Sequence, residues 1–108
     1  MRIARVIGTV TLSRKLPDLK PGRYVIADAF DADALRAHAA DPAVPARRKS
    51  PMPESLVVFD DLGVGVNQLI AVSEGREATM PFYPEKVPID AYCAAILDVV
   101  ETERGKGV

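Results

Sequence analysis

The side chains best suited to chemistry are few and scattered. His38 is the only histidine and Cys93 the only cysteine among 108 residues. A metal centre built on His38 would need a second nitrogen or sulfur ligand at matched spacing, and the sequence offers none. His38 lies in an alanine-rich segment and reads as a solvated side chain. Cys93 sits between Tyr92 and Ala94 with no histidine placed to activate it, so it reads as a small buried apolar residue. Asp60 with Asp61, and Asp90 with Asp98, are the carboxylates that invite an acid/base or ligand reading. Neighbours on a strand point to opposite faces, so Asp60 and Asp61 cannot easily share a proton or a metal. Turn capping and subunit hydrogen bonds explain them more simply. A small enzyme using Asp90, Cys93 or His38 is therefore held last, because no two of these form a recognised constellation. No catalytic residue, metal ligand or cofactor is assigned.

Two further motifs point to ligands on first sight. Gly63-Val64-Gly65-Val66-Asn67-Gln68 begins like a dinucleotide fingerprint, but Gln68 stands where the third glycine belongs and an apolar strand follows. Without a helix N-terminus there is no anion site for a pyrophosphate. The basic run Arg47-Arg48-Lys49, with Arg14, Lys15 and Arg2, could track phosphates. Yet the three tyrosines and three phenylalanines are not interleaved with these residues and tryptophan is absent, so the stacking platform of a single-strand binder is missing. A solvated basic loop is the simpler reading. The net charge of −1 and a pI near 5.8 give no general attraction to nucleic acid or to an anionic membrane.

The elements that would position these residues read as one small β-domain, 1–108. Its 48% hydrophobic content fills one modest core. Residues 3–13 alternate with period two, as a long strand does, and Gly8 marks a bend or bulge midway. Pro17 and Pro21-Gly22 make a turn, with Pro21-Gly22 suited to the centre of type II. Strands follow at 24–30, 55–60 and 69–73. Between them Asp31 is placed to cap a short helix through ADALRAHAA, and 42–53 is proline-rich and basic, an exposed loop. The stretch TMPFYPEKVP is too rich in proline for regular structure. In IDAYCAAILDVVE, the spacing of Ile89, Tyr92, Ile96 and Val100 predicts a helix. The polar tail, 101–108, is expected to fray. One cysteine, no signal-like start and no run of membrane-spanning length make a soluble, cytoplasmic protein the expectation.

Three motifs in order resemble the small vertex proteins of bacterial microcompartments, the ethanolamine-utilisation and carboxysome pentamers. Val6, Gly8, Val10, Lys15, Pro17 and Leu19 match that family's opening. Asp60, Gly63, Gly65, Ile70, Gly75 and Ala78 match its central loop, although Val64 replaces an alanine, Asn67-Gln68 replaces Gly-Glu, Arg76-Glu77 replaces two serines and Thr79 replaces an arginine. Pro88, Asp90, Ala91, Ile96 and Asp98 match its last segment, where the resemblance implies a helical turn and then a closing strand, against the local helical spacing.

The resemblance implies an all-β fold: a small five-stranded OB-like β-barrel with a short helix and, here, a long insertion, 31–54. It implies a homopentamer at the five-fold vertices of a shell whose other subunits are hexameric, with no reaction, no nucleic acid and no membrane. On this reading Gly63, Val64, Gly65 and Val66 lie near the symmetry axis, with Val64 forming an apolar rim. Asn67, Gln68, Arg76, Glu77, Phe82 and Tyr83 become candidate contacts to other subunits or to the shell. A nucleic-acid-binding barrel of the same topology is the alternative, since one fold hosts many functions.

Overall fold

The computed structural model describes residues 1–19, 21–40, 54–85 and 87–101. The elements run β1 (Arg2–Val10), β2 (Arg23–Ala29), α1 (Ala32–Ala40), β3 (Glu54–Asp60), β4 (Leu69–Glu74), α2 (Arg76–Thr79), a 3-10 turn (Met80–Phe82) and β5 (Ala91–Leu97). The five strands close into a barrel in the order β1-β2-β3-β5-β4. All neighbours are antiparallel except β3 and β5, which meet in parallel at Phe59 and Tyr92. The all-β barrel expected from the resemblance is the observed fold. The basic run at 47–49, the rest of 41–53, and 102–108 lie outside the described residues.

The interior is filled by small and β-branched side chains. Ala4, Val6, Val25, Ala27, Val58, Val64, Ile70, Val72, Ala91 and Cys93 form one cluster, with Leu56 against it. A five-stranded barrel is too narrow for large residues from every strand, and alanine and valine suit its bore. Closure also needs strong local twist. The β1-β2 register shifts between Val6 and Gly8, leaving Ile7 as the extra residue of a bulge, at the place where Gly8 had suggested one. A second shift, between Ala71 and Val72, leaves Ala94 of β5 as the extra residue.

Several local expectations change. Residues 91–97 are a strand: Ala91 and Cys93 turn inward while Tyr92 and Ala94 do not. The helix-like spacing of Tyr92 and Ile96 does not reflect one face of the strand. Tyr92 pairs with Ser73 and Ile96 with the core residue Ile70, and the register shift between them puts the two on opposite sides. Of the stretch 79–88, expected to be irregular, Thr79 closes α2 and Met80–Phe82 form the 3-10 turn. Pro81 sits in the first turn of the 3-10 helix, where its missing N–H costs nothing. Gly22 does not take the +80° of a type II turn; its φ is 158°. Its role is close approach, because a Cβ there would lie 2.5 Å from the ring of Phe59. Helix α1 is capped as expected, with Asp31 Oδ1 accepting from the Ala34 N–H at 2.7 Å. His38, expected in water, is half-buried: its ring lies 5.9 Å from that of Phe30.

Candidate functional site: the loop between β3 and β4

Asp60 ends β3 and is 2% exposed. Its Oδ1 accepts the Leu62 N–H at 3.0 Å, and its Oδ2 accepts those of Gly63 and Val64 at 3.1 and 2.9 Å. Arg23, at the start of β2, donates to the same Oδ2 at 2.8 Å and also to the Val64 carbonyl. A single carboxylate thus gathers three successive backbone amides and a guanidinium. Burial pushes the Asp60 pKa up, but these hydrogen bonds outweigh it and leave the group below the usual carboxylate value.

The rest of the loop is fixed from its other end. Asn67 N–H donates to the Val6 carbonyl at 2.7 Å, and Val6 N–H to Gln68 carbonyl at 3.0 Å, stitching the loop onto β1. The Gln68 side chain accepts the Gly65 N–H at 2.7 Å. Gly63 has φ 87° and Asn67 φ 75°, left-handed values that glycine and asparagine tolerate best.

Asp61, in the bend just beyond β3, is exposed where Asp60 is buried, and accepts the Tyr92 hydroxyl at 3.1 Å. Burial, followed by the bond to Asp61, raises the Tyr92 pKa. Tyr92 stacks on Phe59 at 6.2 Å between centroids, and Phe82 meets both rings edge-on. These aromatics pack on one another rather than splaying to receive bases. Arg2 is also engaged, holding Glu54 at 2.8 Å and Glu74 at 2.5 Å. Neither observation favours the nucleic-acid reading.

The candidate residues divide by environment. Gly63 and Val66 are exposed, and Gly65 is half-buried. Val64, expected as an apolar rim, is 1% exposed and belongs to the barrel core. It follows the buried Asp60 cradle, which turns its side chain inward. Val66, 53% exposed, is the apolar residue the loop presents. Asn67 and Gln68 are exposed, yet their polar groups tie the loop to itself and to β1. Arg76 and Glu77 are exposed on α2, Phe82 is half-buried in the aromatic cluster, and Tyr83 is 77% exposed.

Sequence reasoning did not find Arg23, whose partner lies 37 positions away. Nothing local announces such a pair. The capping role of Asp60 was legible in Asp-x-x-Gly, a turn-forming spacing.

The residues weighed for catalysis are not brought together. Cys93 lies inside the barrel, where burial and the Asp60 charge push its thiol up to about 12. His38 packs under α1, on the outside. A thiol reagent at pH 7.5 is expected to label native Cys93 at least about a hundredfold more slowly than the unfolded chain, because reaction waits on opening of the barrel. Labelling at comparable rates would remove Cys93 from the core.

Comparison with known proteins agrees over nearly the whole chain. The family described as ethanolamine utilisation protein EutN/carboxysome matches residues 1–98. The carboxysome shell vertex protein CcmL of Synechococcus elongatus is 30% identical over 103 residues, covering 95% of this chain and 89% of the relative. The structure of Gloeobacter violaceus CcmL superposes with TM-score 0.72 at 28% identity, covering 95% of this chain and 91% of that one. The pentameric microcompartment shell protein GrpN from Rhodospirillum rubrum superposes with TM-score 0.68 at 25% identity, covering 94% and 99%. With the family model matching residues 1–98 and the barrel shared over nearly the whole length, the chain belongs to the EutN/CcmL family of ethanolamine-utilisation and carboxysome proteins.

Proposed function

We propose that this chain is a structural protein of a bacterial microcompartment shell, and that five copies form a ring capping each five-fold vertex. The observation that carries the reading is similarity over 95% of the chain to a carboxysome shell vertex protein, joined by the likeness to a pentameric shell protein. The physical task is curvature. A flat sheet of hexagons cannot close, and pentagons at the vertices let it do so. This requires shape and contact surfaces but no reaction.

A ring of identical subunits uses two different patches on each, placed so that rotation closes after five. The loop 61–66 is suited to the axis, because Asp60 and Arg23 hold its backbone rigid while Gly63 and Gly65 keep it slim. Val66 then supplies the apolar rim. Arg76, Glu77, Phe82 and Tyr83, with Asn67 and Gln68, are proposed contacts to neighbouring subunits or to hexameric shell proteins. Ile7, Leu12 and Val57 are exposed apolar residues of the β1-β3 region, and a subunit contact would remove them from water.

The test is reconstitution with a hexameric shell protein that forms sheets or tubes alone. Addition of this chain should yield closed polyhedra by electron microscopy. Sheets and tubes unchanged at a ratio of five copies per vertex would refute the capping role.

A further inference from the structure

The only histidine packs where a charge would be unwelcome. His38 Nδ1 lies 3.3 Å from Arg5 Nη2. A guanidinium only donates hydrogen bonds, so this contact requires Nδ1 to offer its lone pair, with any ring proton on Nε2. The Arg5 guanidinium carbon also stands 5.7 Å from the centre of the Phe30 ring, against which His38 packs. Protonated His38 would place a second donor and a second positive charge against Arg5.

Among the described residues, few other contacts to α1 are seen. Asp31 caps it, Ala34 is buried and Leu35 is half-buried. A nine-residue helix is marginal in water by itself, so its persistence depends on docking. We propose that α1 is a pH-sensitive latch: neutral His38 fastens it to the barrel through Arg5 and Phe30, and protonation of His38 releases it.

Among the described residues, no carboxylate on the packed elements pairs with His38. Arg5 comes from β1. Asp28 of β2 stands opposite Arg5 in register, and its carboxylate accepts from the Ser55 hydroxyl of β3 at 2.6 Å. Glu54 of β3 is held by Arg2. On α1 itself Asp33 is paired with Arg36. The helix C-terminus favours a cation modestly, but burial and then the Arg5 charge lower the His38 pKa on balance. A pKa lower when docked than when free means that docking is fully favoured above the ordinary histidine value of 6.5. It weakens as pH falls below that. The chain runs from α1 into residues 41–53, which include Arg47, Arg48 and Lys49. The inference is independent of the vertex role.

Hydrogen exchange of the full-length protein, corrected for the intrinsic pH dependence of exchange, tests the latch. Between pH 7.5 and 5.0 the amides of 34–40 should lose protection by up to about thirtyfold, the limit set when the free side chain titrates at 6.5 and the docked one does not. Amides of β1 and β2 should keep theirs. His38→Phe, which retains a ring against Phe30, should make α1 protection independent of pH. Arg5→Gln should shrink the pH effect, since a docked His38 then accepts a proton more readily. The same pH effect in His38→Phe, an undiminished effect in Arg5→Gln, or pH-independent protection in the wild type would each overturn the proposal.

Discussion

Asp60→Ala is expected to lower the unfolding free energy by about 2–4 kcal/mol, the order of cost of leaving several backbone donors without their acceptor. The ion pair adds little, because the Arg23 side chain is 39% exposed and can turn to water. Three amides, those of Leu62, Gly63 and Val64, lose their acceptor, and Arg23 loses its counterion. A domain of this size has about 5–15 kcal/mol in all, so the variant should unfold at much lower urea at equal protein concentration. Asp60→Asn keeps one acceptor oxygen and should lose less. The wild type should show the same dependence through pH. Because the folded Asp60 pKa lies below its ordinary value of 3.8, its contribution is complete well above 3.8. It declines as pH falls through 3.8 and is gone below the folded value. An Asp60→Ala protein that matches the wild type in urea would show that the carboxylate does not hold the loop.

Gly63→Asp is expected to abolish the ring while leaving the subunit folded. Nothing lies within 4 Å of a Cβ added at Gly63, so a single chain has room for the side chain. The left-handed φ of 87° costs an ordinary residue about 1–2 kcal/mol, which the fold withstands. In the proposed ring, with this loop at the axis, five new carboxylates would converge. At roughly 10 Å and an effective dielectric near 20, each adjacent pair repels by about 1–2 kcal/mol, so five pairs set on the order of 5–10 kcal/mol against assembly. Gly63→Asn is the control, similar in shape and tolerant of the backbone but uncharged, and should retain the pentamer. Light scattering at micromolar concentration separates the two. Pentamers from both variants would place the loop away from the axis.

Much of the barrel was legible because its signals are local. The period-two run in β1, the break at Gly8, the Asp31 cap and the apolar strand after Gly65 each follow from a few neighbouring residues. Strand β5 was not legible from spacing, since the irregularity at Ala94 breaks the period-two alternation that would have announced it. What decides the matter is the narrow bore that receives Ala91 and Cys93, a property of the closed barrel. The site was only half visible for the same reason. Gly63 and Asp60 signal a capped turn, but Arg23 reaches it from β2, and no local pattern carries that pairing. Val64 misled because its position beside two glycines suggests a loop tip, whereas the Asp60 cradle folds it into the core. His38 looked solvated because alanines surround it in sequence; Arg5 and Phe30 surround it in space.

Native mass spectrometry addresses the central claim most directly. Five chains of 11.6 kDa make an assembly of about 58 kDa, and a single dominant species of that mass is expected. A lone subunit, or a ring of any other order, would contradict the vertex role.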